Sequence, residues 1–177
     1  MIPVHTLSVL VENKPGVLAR ISGLFARRGF NITSLAVGET ETPLVSRMTI
    51  VVSADNKPIE QVVKQLHKLI NVLRIDELEP DSSVEREIAL IKVSASPGKR
   101  AEVLEVVEIF RAKVVDVDAQ SVVVEAAGSP EKTRALQEML RPYGIVELAR
   151  TGRIALGRGA RGLKSPITTP VSLETVS

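Results

Sequence analysis

The periodicity of the apolar residues constrains this chain most. It switches between the alternation of a strand and the 3.6-residue repeat of a helix in a fixed order, and the order occurs twice. Val4 to Val11, rich in Leu and Val, reads as a strand. Val17, Leu18, Ile21, Leu24 and Phe25 then form one apolar helical stripe. Pro15 suits the first turn of that helix, where its missing N–H costs nothing. Arg27 and Arg28 favour its C-terminus, and Gly29 can take a left-handed cap. Ile32 to Val37 is a second strand, Gly38 to Pro43 a polar turn, and Arg47 to Ser53 a third strand. Along 45–53, Ser46, Met48, Ile50 and Val52 suit a core face, while Val45, Arg47, Thr49 and Val51 form a mixed, half-exposed one. Pro58 opens a helix carrying Ile59, Val62, Val63, Leu66, Leu69 and Ile70, and Val72 to Leu78 is the fourth strand. The order is βαββαβ.

A polar joint, Glu79 to Glu87, marks a domain boundary, and the order then repeats. Ile88 to Ala95 is a strand, and Val103, Val106, Val107 and Phe110 belong to a helix. Val114 to Val117 and Val122 to Ala126 are strands. Ser129 caps a helix with Pro130 at its first position and Leu136, Met139 and Leu140 along it, and Ile145 to Ala149 is the last strand. The reading is an α+β protein of two tandem ferredoxin-like domains, each an antiparallel sheet with two helices on one face. The domains span 1–80 and 81–157. Residues 158–177, rich in Gly, Pro, Ser and Thr, make a flexible tail.

Composition narrows the function. Of 177 residues, 44% are hydrophobic and only four are aromatic, so the core is almost wholly aliphatic. Cys is absent, which excludes disulfides, thiolate nucleophiles and Cys-ligated metals and fits a reducing compartment. The net charge is only +2, although Arg150, Arg153, Arg158, Arg161 and Lys164 cluster near the end. A DNA binder shows a larger basic footprint. No apolar run approaches the ~20 residues of a membrane span. The segment MIPVHTLSVLVE lacks a basic n-region and meets Glu12 too early for a secretory signal, so a cytoplasmic protein is expected.

The polar residues at the two ends of the first helix are the candidate site. A helix N-terminus presents N–H groups and about half a positive charge, which suits a carboxylate or a phosphate. Gly16 lets a ligand approach the backbone, and Asn13 beside it offers a donor and an acceptor. Asn31, just after the helix, can do the same against a neighbouring surface. A free amino acid, with one group to accept and one to donate, fits. Two or three charge-assisted bonds and one buried aliphatic chain, less the cost of association, leave roughly −4 to −8 kcal/mol, a sensing affinity. The spacing is short and common, however. On spacing alone, Asn13 as a helix cap, Gly16 as a tight turn and Asn31 as loop chemistry explain it equally well.

Other signals are weaker. His67 lies on a helix beside Lys64 and Lys68 and reads as a surface residue, and His5 near a strand start reads as structural or interfacial. Asp116 and Asp118 share a strand face but lack a third ligand, so no metal site is expected. Gly157, Gly159 and Gly162 lack the strand-loop-helix context of a phosphate loop. No acid–base or nucleophile pair emerges, so no catalytic residue is assigned.

Several blocks carry a resemblance. ENKPGVLARISGLFARRGFNI resembles an ACT domain, the ferredoxin-like module that binds small effectors, often amino acids. SRMTIVV, KQLHKLINVLRIDELEPDSSVEREIALIKV, EIFRAKVVDV and VELARTGRIALGRG, in that order, resemble the small regulatory subunits of acetolactate synthase, also called acetohydroxyacid synthase. The resemblance runs from about residue 5 to residue 159 and leaves the tail uncovered. It implies a non-catalytic regulatory subunit of branched-chain amino-acid biosynthesis. Such a subunit raises the activity of a separate catalytic large subunit and confers feedback inhibition, commonly by valine. It implies thiamine diphosphate, Mg²⁺ and usually FAD on that large subunit and no cofactor on this chain. It also implies a homodimer in which valine sits between two ACT domains. Asn13, Gly16, Val17 and Leu18 would come from one protomer and Asn31 and Ile32 from the other. The C-terminal half would help engage the catalytic subunit.

Three rivals share the topology. An acylphosphatase-like enzyme needs a G-x-V-Q-G-V-x-F-R type of segment, which is missing. An RNA-recognition module needs exposed aromatics on its central strands, and RMTIVVS has none. A transcriptional or general metabolic ACT sensor fits the first half alone, but no helix-turn-helix is evident and the second half resembles the synthase subunit instead.

Overall fold

In the computed structural model, residues 4–53, 59–160 and 162 are described. The chain divides between Ser83 and Val84 into two units, the second comprising Val84–Ala155.

The first unit is built from β1 (Val4–Glu12), α1 (Val17–Arg27), β2 (Asn31–Glu39), β3 (Val45–Ser53), α2 (Ile59–Leu66) and β4 (Val72–Leu78). The sheet is antiparallel with strand order β2-β3-β1-β4, the ferredoxin-like arrangement. Alternation along β1 and β3 sends Leu7, Val9, Val11, Met48, Ile50 and Val52 to one face. There they meet Val17, Ile21, Leu24 and Phe25 of α1 and Ile59, Val62 and Leu66 of α2. Each such side chain stabilises the fold by roughly 1.5–3 kcal/mol when fully buried. Gly29, at φ +68°, ends α1. The Phe30 N–H then reaches back to the Phe25 carbonyl at 3.0 Å, and the two rings pack edge to face at 6.5 Å.

The opposite face of this sheet differs from expectation. Val45, Thr49 and Val51 are buried, as are Thr6, Ser8 and Leu10 of β1; only Arg47 of the mixed set is half-buried. β1 and β3 are the inner strands of this sheet. Helix α2 is also shorter than its apolar spacing predicts. It stops at Leu66, and Ile70 is 87% exposed in the turn beyond. The chain is drawn off the helix axis there by Asn71, whose carbonyl accepts the Glu12 N–H at 2.9 Å. Pro58, expected to open α2, lies outside the described residues.

The second unit repeats the order with β5 (Ser83–Ser94), α3 (Arg100–Ile109), β6 (Lys113–Val117), β7 (Ser121–Gly128), α4 (Pro130–Leu140) and β8 (Ile145–Arg150). The sheet order is β6-β7-β5-β8, the same topology, and a short β9 (Ile154–Gly157) adds to β5. Ser129 caps α4, accepting from the Lys132 N–H. Its inward face is Thr133, Leu136 and Leu140, whereas Met139, expected in the apolar stripe, is exposed. The polar joint is shorter than predicted. Only Pro80–Ser82 form a 3-10 turn, and β5 takes up the rest. Its polar residues are satisfied within the unit: buried Glu87 accepts from the Thr133 hydroxyl, and Glu85 pairs with Arg153 at 2.9 Å.

Candidate effector site

The end of β1 leads into a tight connection that sets the start of α1. The Asn13 N–H donates to the Leu44 carbonyl at 2.8 Å, and the Lys14 N–H to the Glu12 carbonyl at 2.9 Å. Gly16 then takes φ +82°, where an L side chain costs about 1–2 kcal/mol. A Cβ added there would meet nothing within 4 Å, so the backbone faces open space. Helix α1 has no acidic residue in its first turn and no side-chain cap. The Leu18 and Ala19 N–H groups precede its first closed turn, in which Arg20 donates to the Gly16 carbonyl. Its positive end is therefore unopposed by any acid of its own.

A polar network braces this end. Arg20 Nη1 donates to Asn71 Oδ1 at 2.8 Å, and Asn71 Nδ2 donates to Glu12 Oε2 at 2.6 Å. Lys14 Nζ reaches Glu12 Oε1 at 3.2 Å. The Asn71 hydrogen bond first, and Lys14 second, hold the Glu12 carboxyl below its ordinary range. The start of α1 is thus tied to the ends of β1 and β4.

The expected site residues fall into two groups. Asn13, Gly16, Val17 and Leu18 cluster at this end of the sheet. Asn13 is not a helix cap: its Nδ2 donates to Glu39 Oε1 at 2.8 Å, at the end of β2. Val17 is buried in the core, while Leu18 is exposed beside the open backbone. Asn31 and Ile32 lie elsewhere. Asn31 is exposed, opens β2 and pairs in register with Ser53, whereas Glu39 pairs with Ser46. Eight residue steps of strand separate positions 31 and 39, about 26 Å. Ile32 is half-buried against the core. One protomer therefore does not bring Asn31 to Asn13.

Glu39, Arg20 and Asn71 carry no sequence signal that marks them for this site. Glu39 falls in the polar turn Gly38 to Pro43, and Asn71 falls between the apolar helical stripe and the strand from Val72. Only register shows what each touches. Of the weaker signals, His5 Nδ1 lies 2.6 Å from Glu77 Oε1 on the neighbouring strand, and His67 is exposed in the turn after α2. Asp118 closes the β6–β7 turn, its Oδ1 accepting from the Gln120 N–H. Among the described residues no three His, Asp or Glu side chains gather as a metal would require. None of the described helices is long and apolar enough to cross a membrane.

The fold and the polar-ended helix define a tandem ferredoxin-like protein whose first domain is of the ACT type. Residues 7–74 match the acetohydroxyacid synthase small-subunit-like ACT domain, and residues 86–159 match the family described as the small subunit of acetolactate synthase. The acetolactate synthase small subunit of Mycolicibacterium smegmatis is 60% identical over 91% of this chain and 95% of its own. A probable acetolactate synthase small subunit of Archaeoglobus fulgidus is 57% identical over 88% of this chain and 97% of its own. The crystal structure of the Thermotoga maritima small subunit superposes with a TM-score of 0.82 at 44% identity, covering 89% of this chain and 99% of that one. The chain belongs to the acetolactate synthase small-subunit family, the regulatory subunits of that enzyme.

Proposed function

We propose that this chain binds valine, or a related branched-chain amino acid, between the ACT domains of a homodimer. Through that site it confers feedback inhibition on a catalytic large subunit that it otherwise activates. The first unit senses and the second helps engage the catalytic subunit. Chemistry belongs to the large subunit, which carries thiamine diphosphate, Mg²⁺ and FAD, and the complex works in the cytoplasm.

The observation that carries this reading is the separation of Asn13 from Asn31. β2 is an edge strand, and its outer backbone groups are available to a second copy. Two β2 edges paired antiparallel about a two-fold axis near Leu35 set residue 31 of one against residue 39 of the other. Because Glu39 holds Asn13, that pairing delivers the partner's start of β2 to the Gly16 end of α1. The ligand carboxylate then meets the first N–H groups of α1, the asparagines fix the polar groups, and Leu18 and Ile32 flank the side chain. Inhibition follows if valine binds the less active arrangement of the complex more tightly than the active one.

Thermal unfolding of the full chain with valine, leucine, isoleucine or threonine at millimolar concentration tests the site. A ligand at about 100 times its Kd adds about 2.7 kcal/mol to the native state, very roughly 5–10 °C in a protein of this size. A shift with valine and none with threonine supports the reading. No shift with any branched-chain amino acid overturns the site assignment.

A further inference from the structure

The Asn13–Glu39 contact bears on which end of an amino acid is read, and by what. A carboxylate can only accept hydrogen bonds, so the 2.8 Å contact fixes the Asn13 amide with Nδ2 toward Glu39. Asn13 Oδ1 is then turned away as an acceptor and, like the second Glu39 oxygen, has no partner among the described residues. Lys14 Nζ is engaged with Glu12 instead. The end of β2 therefore places one carbonyl acceptor and one carboxylate side by side, with no cation bonded to either.

We infer that Glu39, acting with Asn13 Oδ1, binds the α-ammonium of the effector and makes the site selective for an amino acid over the unaminated acid of the same carbon skeleton. This rests on the amino-acid site proposed above and adds a residue and a criterion to it. An ammonium carries three donors and one positive charge, which two adjacent acceptors, one of them charged, satisfy. A 2-oxo acid or a plain carboxylic acid offers neither charge nor donor there. It would leave Glu39 desolvated and facing a carbonyl or a methylene, with nothing in return. A regulatory site of this kind responds to the aminated end product of a route and ignores the oxo acids that precede it.

Titration calorimetry of the full-length chain and its Glu39→Gln variant, each with L-valine and with 3-methylbutanoate, tests the inference. Gln keeps the size of the side chain and a carbonyl acceptor for Asn13 but removes the charge. The wild-type chain should bind valine and bind 3-methylbutanoate far more weakly. In Glu39→Gln, valine affinity should fall by about ten- to a hundredfold, with 3-methylbutanoate unchanged. Valine binding within about twofold of wild type would overturn it. So would an equal loss for both ligands, because Glu39 would then serve only to hold Asn13. A wild-type chain that binds neither ligand removes the amino-acid site itself, a failure visible before any variant is made.

Discussion

If the site is divided between protomers as proposed, it makes a quantitative forecast for mixtures of two damaged chains. Asn13→Ala removes a partner from one side of every site, and Asn31→Ala removes one from the other side. Each loses a hydrogen bond to a charged ligand, about 1.5–3 kcal/mol, or roughly ten- to a hundredfold in affinity. Every site in either homodimer carries one lesion. In a heterodimer both lesions fall in the same site, because Asn13 of one protomer is matched with Asn31 of its partner, and the second site is intact. Random pairing of equal amounts makes heterodimers about half of all dimers, so about a quarter of the sites recover wild-type affinity. Calorimetric titration of the two variants refolded together would read this as a tight phase of about 0.25 ligand per protomer, absent from either variant alone. Were both asparagines to serve one site within a protomer, mixing would restore nothing. A titration equal to the average of the two separate variants therefore refutes the split and the β2 edge pairing with it.

The stability of the two units yields further forecasts. Arg111 ends α3 at φ +50°, where its N–H returns to the Glu108 carbonyl at 2.9 Å, as Gly29 ends α1. Its side chain is exposed, so Arg111→Gly should relieve backbone strain and stabilise the chain by up to about 1 kcal/mol, read as a higher urea midpoint at unchanged slope; a lower midpoint would show the conformation to be unstrained. Glu12 has a folded pKa below its unfolded one, so its stabilisation is complete above the ordinary carboxylate value of about 4.5 and is lost as pH falls through the lower folded value. Glu12→Gln should therefore lower stability at neutral pH and flatten the acid side of the stability curve, and parallel curves for variant and parent would contradict the network around Asn71.

Sequence was informative where a pattern is repeated and silent where a single contact decides. The stripe of α1 gives one helical face, and Val17, Ile21, Leu24 and Phe25 are buried as that face requires. The order of both sheets follows from the order of periodicities once chain connections are kept short. β9 does not stand out in the sequence, because four residues closed by a glycine carry too little alternation. The first half of β5 has the sequence of a linker because Glu85 and Glu87 are charged. Charge in a strand is tolerated when a partner lies across it, and Arg153 and Thr133 are 68 and 46 residues away in sequence. The site shows the same contrast. Gly16 is legible because only a backbone need explains a glycine before an apolar stripe, whereas Glu39 acquires meaning only once β2 is laid against β3.

The proposed division of the site would be a consequence of the fold rather than an added device. In βαββαβ the first helix starts where β1 ends and finishes where β2 begins, so its two polar ends lie at opposite ends of the sheet. Eleven helical residues span about 16 Å, and the return along β2 is longer still. A free amino acid cannot bridge that distance, so a ligand that uses both ends must draw them from two protomers. Binding and assembly are then linked. Whatever affinity the ligand gains from the second protomer is returned as stability of the dimer arrangement that supplies it, and a hundredfold preference transmits about 2.7 kcal/mol. On the proposed reading, the same linkage would let a small molecule that touches no reacting atom bias an enzyme: the effector would need only to favour one arrangement of two β2 edges over another, by an amount that a few hydrogen bonds to Asn13, Asn31 and the start of α1 could supply.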